Sequence, residues 1–415
     1  VIAELTAKGT LLFTFVRKWA ILKLSISTVT MHTSLIFPFV FAFQFSFDPT
    51  FKAQEIDSDV SIGYGMAIGD VDGDGKDDIL LADKTQIVWY RNGDWQKHVI
   101  AEGLTASDNV CIAARDLDGD GKVEIAVGAQ WNPGETSDTT KSGAVFFLIR
   151  PSDPTQRWTP KQIHHEPTTH RMRWVKEGQK SHLVVVPLHG RGNAGGEGAG
   201  VKVMAYEYPS NPAGDWNVQV IEDSMHLTHN LDVISAPSSE SILLGGKEGV
   251  KLLRNNGNQW SNSNVNLPEN AGVGELRLGK TSTGNHFLAT IEPMHGTTLA
   301  AYEGLNQDIE AKSPKRHVLN KQLKDGHALA VGDFLGLGWD QIAVGWRIPN
   351  EAGEMGVKLY VPKKGSFSEF EEFWIDKNGM ACEDLQAADL DGDGKPELIA
   401  SGRSTKNLKI YWNKN

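Results

Sequence analysis

The sequence predicts an all-β chain: a seven-bladed β-propeller of four-stranded antiparallel blades, its ring closed by an N-terminal strand. Three observations predict it. A unit of apolar run, Gly/Asp loop and apolar run recurs as GMAIGDVDGDGKDDILLAD (65–83), CIAARDLDGDGKVEIAVGA (111–129) and LQAADLDGDGKPELIASG (385–402), with a weaker copy, HALAVGDFLGLGWDQIAVGW (327–346). The flanking runs are rich in β-branched residues and too short for helices. Starts of similar units fall near Tyr64, Val110, His170, His229, Gly274, His327 and Glu383, at intervals of about fifty residues.

Each unit supplies strands in turn. In the first, the two runs of the repeat are followed by QIVWYRN (86–92) and KHVIAE (97–102). The middle units lack the acidic loop but keep the rhythm, as in HRMRWV, HLVVVPL, VKVMAYEY and WNVQVIE. The last unit reads as three strands ending at LKIYWN (408–413), so FKAQEID (51–57) is expected to supply its fourth strand. Closure of that kind leaves no free sheet edge. Two stacked sheet domains are the alternative arrangement. The catalytic domain, a seven-bladed propeller, is thus expected over 48–415.

Residues 1–47 read differently. They carry two apolar runs, TLLFTFV and LIFPFVFAFQF (35–45), both shorter than the roughly 18–20 residues of a membrane span. The second run follows Met31 and has the length of a signal-peptide core, so export to a periplasmic or extracellular compartment is expected. An over-extended N-terminus is the other reading. No stable membrane span is expected.

The chain has 415 residues, 52 acidic and 41 basic side chains, and a formal net charge of −11. That balance argues against a nucleic-acid partner, because nothing would offset phosphate charge. Two Cys, Cys111 and Cys382, exclude a disulfide-stapled small fold and a Cys-based zinc module.

The acid concentrates in the repeat loops. Asp70, Asp72, Asp74 and Asp78 stand at positions 1, 3, 5 and 9, as do Asp116, Asp118, Asp120 and Glu124, and Asp389, Asp391, Asp393 and Glu397. This oxygen-rich spacing, with glycines for the tight turn, suits Ca²⁺. Three structural calcium sites are expected, on the loops joining the first and second strands of a blade. The fourth copy keeps Asp333 but has Leu335 and Leu337 where ligands should stand, so no ion is expected there.

The opposite face gathers histidines. First-strand starts give His170, His229 and His327; the connections on that face give His189, His226 and His295, six of the thirteen His. Arg191, Lys247, Arg347 and Arg403 fall there too. Converging imidazoles suit a Zn²⁺ or Mn²⁺ site, Zn²⁺ foremost, or acid–base chemistry near neutral pH. The expected metal ligands are His229, His295 and His327. His170 and His189 are the expected acid–base pair, with Arg191 as an oxyanion contact. His226, Lys247, Arg347 and Arg403 are expected to bind substrate. Trp131, Trp174 and Trp346 are candidate sugar-stacking platforms. His98, His164, His165 and His317 fall on expected outer strands and carry no assigned role. The loop GRGNAGGEGAG (190–200) lacks the GK[ST] of a phosphate loop and precedes a strand, so no nucleotide site is expected.

The acidic repeats resemble those of the FG-GAP/VCBS propeller family. The motifs THRMRW, PLHGRGN with GEGAGVK, MHLTHN and GHALAVGDF resemble the propeller domain of the aldos-2-ulose dehydratase family. That resemblance implies a metal-dependent carbon–oxygen lyase that eliminates water beside the ketone of 1,5-anhydro-D-fructose or a related ketosugar. Larger family members add cupin domains for a later isomerisation; only the dehydration half is carried over here. Two other readings remain: a polysaccharide lyase acting next to a uronate, and a non-catalytic carbohydrate-binding or adhesion propeller. The expected partner in every case is a sugar or saccharide.

Overall fold

The computed structural model describes residues 2–5, 11–14, 48–193, 195–257, 259–268, 272–306, 308–309 and 314–415. The chain divides into two compact units, Val1–Phe47 and Asp48–Asn415. In the first, Ile2–Leu5 pairs antiparallel with Leu11–Thr14. The apolar run 35–45 lies outside the described residues. Among the described residues no helix is long and apolar enough to cross a membrane.

The second unit consists of seven four-stranded antiparallel sheets. Their inner strands are Gly65–Gly69, Cys111–Arg115, Thr169–Glu177, Thr228–Ile234, Glu275–Lys280, Gly326–Gly332 and Cys382–Ala388. Each inner strand contacts the next, and the seventh contacts the first, so the sheets form a closed propeller ring. The seventh sheet is completed by Phe51–Asp57, which pairs antiparallel with Asn407–Asn413. The N-terminal strand therefore closes the ring, and the last blade is built from both ends of the unit.

Burial explains the apolar pattern. Second strands such as Asp78–Ala82, Glu124–Ala129 and Glu397–Gly402 are buried at every position. They lie in mid-blade with a neighbouring blade on either face, so their sequence is continuously apolar rather than alternating. Outer strands such as Thr159–Ile163 are mostly exposed, and their sequence is polar. Blades pack closely enough to demand glycine. A Cβ on Gly345 of the sixth blade would stand 2.5 Å from Cys382 Sγ of the seventh. Cys111 and Cys382 are buried free thiols on separate blades. His98 and His317 lie on outer strands, whereas His164 and His165 follow the outer strand Thr159–Ile163 rather than lying on it.

The first-to-second-strand loops show how a carboxylate at the ninth position shapes the turn. Asp78 accepts from the Val71 amide at 2.9 Å, Glu124 from Leu117 at 2.8 Å, and Glu397 from Leu390 at 2.8 Å. In the sixth blade Gln341 holds that position, and its Oε1 accepts from Leu335 at 3.0 Å. Its Nε2 donates to Asp333 Oδ1 at 3.3 Å. One amide thus performs the turn-forming contact and also supplies a donor to the loop's remaining aspartate.

Ring closure makes a direct prediction. A chain beginning at Asp48 should melt like the full chain. One beginning at Ser58, lacking the closing strand, exposes the edge of Asn407–Asn413 and should melt at least about 5 °C lower or aggregate. Equal melting temperatures for the two truncations, read by circular dichroism, would contradict the closure.

Candidate functional site

The seven inner strands do not start alike. In the third, fourth, sixth and seventh blades the pairing between first and second strands slips by one residue at the start, between Thr169 and Arg171, Thr228 and Leu231, Gly326 and Ala328, and Cys382 and Asp384. The first, second and fifth blades keep regular register. A bulge of this kind re-aims a side chain and ends regular pairing. The residues within the four slips include His170, His229, His327 and Glu383. The fifth blade contributes its histidine, His295, from the loop after its second strand, His286–Glu292.

These side chains meet at one end of the ring axis. One ring nitrogen from each of His229, His295 and His327 lies within 4.8 Å of the other two. His229 Nε2 and His295 Nε2 are 2.5 Å apart. His170 joins as a fourth imidazole, its ring centre 4.7 Å from that of His229. His229 and His327 are 1% and 3% exposed, while the His295 side chain is 39% exposed. The cluster is thus buried on one side and open on the other.

The opposite ring nitrogens are held by acceptors. His229 Nδ1 lies 3.2 Å from the Gly274 carbonyl oxygen and 3.1 Å from Glu275 Oε1. His327 Nδ1 lies 2.6 Å from the Glu383 carbonyl oxygen. An acceptor facing Nδ1 places the proton there and leaves the Nε2 lone pair free to ligate, which is the usual outer arrangement of metal-binding histidines. His295 is the adaptable member, because its Nδ1 faces both Asp325 Oδ1 at 3.4 Å and Arg347 Nη2 at 3.3 Å. Accepting from Arg347, it donates Nε2–H to His229; donating to Asp325, it frees Nε2 as a ligand.

The electrostatics keep His229 and His327 neutral. Burial lowers the His229 pKa to about 4, and burial with Arg347 and His295 pushes His327 well below its ordinary value. Burial alone would raise the Glu275 carboxyl, but His229 and the nearby Arg277 and Arg171 hold it down at about 2. Asp325 is likewise held well below the carboxylate range: the contacts with His295 and Arg347 outweigh its burial. Arg347 grips Asp325 with two bonds, 2.9 and 2.7 Å, and reaches Glu383 at 2.9 Å. Arg403 binds the other Glu383 oxygen at 3.0 Å.

The other residues expected at the site divide. His170 donates through Nδ1 to the His229 carbonyl at 2.9 Å, and its Nε2 lies 3.1 Å from Arg171 Nη1. Trp131 stacks on its ring at 5.0 Å. His189 has a buried Nδ1 with no hydrogen-bond partner among the described residues. Its segment borders the fourth blade's first strand, through the Thr228 amide bonded to the Leu188 carbonyl at 3.1 Å. Arg191 is engaged by Glu166 through two bonds, 2.5 and 3.1 Å. His226 Nδ1 lies 2.8 Å from Glu248, and Lys247 Nζ donates to the Gly196 carbonyl at 2.9 Å. Among the described residues, no hydrogen bond or ion pair links His189, Arg191, His226 or Lys247 to the three-histidine cluster. Trp174 and Trp346 are 4% and 1% exposed, so both are core residues and not stacking platforms. Their indole N–H groups donate to the Ala113 and Glu354 carbonyls.

Sequence reading did not single out Glu275, Asp325 and Arg171. A signal existed, since Glu275 and Arg171 are charged residues on strands that must line a buried axis, and Asp325 sits two residues before His327.

The acidic loops also gather their ligands. Oxygens of Asp70, Asp72 and Asp78 lie within 4.8 Å of one another, as do those of Asp116, Asp118 and Glu124, and of Asp389, Asp391 and Glu397. Asp74, Asp120 and Asp393 stand outside these groups and accept from the amides of Lys76, Lys122 and Lys395 at 2.9, 2.8 and 2.9 Å. Burial, reinforced by Asp72 and Asp70, raises Asp78 to about 7. Burial, with Asp118 and Asp120, raises Glu124 to about 7. Such crowded carboxylates fit a divalent cation.

Comparison with known proteins adds a family context. Residues 142–304 match the family model of the aldos-2-ulose dehydratase β-propeller domain. Residues 70–127 match an FG-GAP-like repeat and residues 112–148 an FG-GAP repeat. The chain is 23% identical over 312 residues to the aldos-2-ulose dehydratase of Phanerodontia chrysosporium, a match covering 68% of this chain and 34% of that protein. The chain thus spans about a third of that relative's length. Among solved structures, a chain of the mitotic checkpoint complex aligns with a TM-score of 0.54 at 11% identity, covering 94% of this chain and 100% of that one. A chain from the complex of BBS1N with ARL6DN aligns at 0.53 and 16%, covering 89% and 98%. These last two likenesses concern the fold alone. The family-model match, residues 142–304, spans His170, His189, His229 and His295 and stops short of His327.

The raised carboxyls set a pH dependence with a definite sign. Asp78 and Glu124 titrate near 7 in the folded chain and near 4 when unfolded. Between those values the folded chain binds more protons, so without divalent cations its stability should fall as pH rises from about 4 to about 7. Melting curves in chelator should show that fall, and excess Ca²⁺ should abolish it. A melting temperature in chelator that is flat or rises across the window would contradict the assignment, as would one that Ca²⁺ leaves unchanged.

Proposed function

We propose that this propeller is a metal-dependent carbohydrate dehydratase that removes water beside the ketone of 1,5-anhydro-D-fructose or a related ketosugar. The observation that carries the reading is the set of imidazoles of His229, His295 and His327, converging on one point with one open side. The partial match to a dehydratase propeller is what suggests a lyase of this class. Three nitrogen donors with an open position fit Zn²⁺ in a catalytic arrangement. A zinc ion there would act as a Lewis acid toward a carbonyl oxygen, making the neighbouring C–H acidic.

The chain's own groups do the rest. Glu275, the Gly274 and Glu383 carbonyls and Asp325 orient the three imidazoles. Of the two expected bases, His189 suits the role better. Both ring nitrogens of His170 are engaged, by the His229 carbonyl and by Arg171, whereas among the described residues no hydrogen bond engages the His189 ring, whose Nδ1 is buried and whose Nε2 is the atom left to accept. Burial lowers the His189 pKa, keeping the ring neutral and able to accept. His189 takes the proton from the carbon beside the carbonyl, the C–O bond of the adjacent hydroxyl breaks, and the imidazolium returns the proton to the departing oxygen as water. Arg191, fixed by Glu166, is the donor for the developing oxyanion. Trp131, stacked on His170, offers an aromatic face for the sugar.

The uronate-lyase reading needs guanidinium groups free for a substrate carboxylate. Arg347 and Arg403 are already paired with Asp325 and Glu383. An adhesion module has no use for several neutral imidazoles buried around one axis. The three acidic loops are assigned as structural Ca²⁺ sites, remote from the chemistry.

Incubation with 1,5-anhydro-D-fructose and Zn²⁺ should produce the ultraviolet absorbance of an enone. His327→Ala and His229→Ala should each lose bound zinc, measured by elemental analysis, and at least about 100-fold in rate. His189→Ala should keep the zinc and lose the rate. Zinc retained at full stoichiometry in both ligand variants would sink the metal assignment. Normal turnover in His189→Ala would sink the base, and no product with zinc bound would sink the substrate class.

A further inference from the structure

Beyond the histidine cluster the axis of the ring carries a second set of charges. Arg171 and Arg173 project from the third blade's inner strand and Arg277 from the fifth. Each donates to the carbonyl of the residue just before it: Arg171 to His170 at 3.0 Å, Arg173 to Met172 at 2.8 Å, and Arg277 to Leu276 at 2.6 Å. Arg171 adds its contact with the His170 ring. No carboxylate among the described residues comes within ion-pair distance of any of the three. A guanidinium carries five N–H donors, so most donors of Arg173 and Arg277 have no partner among the described residues.

The neighbouring carboxylates are turned elsewhere. Asp232 accepts from the Leu278 amide at 2.9 Å, and Asp384 from the Met66 and Leu385 amides at 2.7 and 2.9 Å. Glu275 faces Asn230 and His229. These three balance the formal charge of the channel without capping the guanidinium groups. Arg115 shows what capping looks like in the same space, with two bonds to Glu240 of 2.7 and 3.0 Å. Burial and the mutual repulsion with Arg277 and Arg171 push the Arg173 guanidinium below its ordinary value. A cavity of about 330 Å³, lined by Arg173, Arg115, Glu240, Ser235, Gln386 and Trp174 among others, opens here. Its lining from the far ends of the inner strands, such as Ile68, Ala114 and Ala387, places its mouth on the face of the acidic loops.

We propose that the central channel binds a small oxyanion, of the carboxylate, phosphate or sulfate class, held by Arg173, which lines the cavity, with Arg277 as the neighbouring second cation outside that lining, and reached from the face opposite the histidine cluster. The planar fork of a guanidinium matches two oxygens of such a group. The unpaired donors make the site, and the cavity admits the ligand. The proposal does not depend on the dehydratase reading, because its ligand approaches from the other face and needs no metal.

Selenate is the probe, since it mimics sulfate and scatters anomalously. Crystals grown free of sulfate and phosphate, then soaked in selenate, should show an anomalous peak within bonding distance of Arg173 and Arg277. In solution, selenate at constant ionic strength should raise the melting temperature saturably. Arg173→Met and Arg277→Met should each weaken that midpoint at least tenfold; if one fails to fold, the other and the wild-type soak decide. A wild-type soak showing only water in the channel overturns the site. A peak with bromide but none with selenate overturns the oxyanion class. An unchanged selenate midpoint in a folded variant overturns the assigned donors.

Discussion

Everything at the histidine cluster depends on closing the ring. Seven twisted sheets converge on one axis only if the last inner strand meets the first, and that contact is secured by Phe51–Asp57 completing the blade of Asn407–Asn413. His229, His295 and His327 come from the fourth, fifth and sixth blades, separated by up to 98 positions of sequence. None is near another along the chain. The closed ring brings them within 4.8 Å, and it does so with backbone hydrogen bonds and apolar blade faces rather than with any contact among the histidines themselves. The same closure points the charged side chains of Arg171, Glu275 and Glu383 inward, where each must find a partner.

Convergence alone would put side chains of any regular inner strand on the axis. The register slips make the difference. In four blades one extra residue at the strand start interrupts the pairing, and these are the blades that bear His170, His229, His327 and Glu383. A bulge leaves local backbone groups unpaired by the sheet. Here those groups are reused: the His229 and Glu383 carbonyls accept from His170 and His327 of the preceding blades. The bulges of the fourth and seventh blades thus each present their own side chain and orient the histidine of the preceding blade.

The repeat, the strand order and the closing strand were legible because they follow from period and from apolar patterning, which the buried second strands impose directly. The three-histidine group was legible for a related reason: in a propeller, strand starts share one face, so topology alone brings His229 and His327 together. The bulges were not legible, since THRMRW and LTHNLD differ from a regular strand start only in how they pair. Pairing of Arg191 with Glu166, and of Arg347 with Asp325 and Glu383, depends on rotamers that spacing does not encode. Trp346 misled for the opposite reason, because position at the end of a strand on the correct face does not reveal that its ring turns into the blade interface, where it packs with Trp374 at 5.4 Å.

The two faces of the ring meet their charge in different ways. On the histidine face every carboxylate near the cluster has a cationic or hydrogen-bonding partner within the chain: Glu275 with His229, Asp325 and Glu383 with Arg347. On the loop face three groups of carboxylates lie within a few ångströms of one another, and burial and mutual repulsion raise Asp78 and Glu124 far above the ordinary range. The sixth blade shows how such a turn is built without clustered charge. Replacing the ninth-position carboxylate with Gln341 keeps the amide contact to Leu335 and turns the second carboxylate oxygen into a donor toward Asp333. A neutral amide therefore suffices to form the turn. The other three loops keep that contact and gather further carboxylates around it, the arrangement on which the proposed cation sites rest.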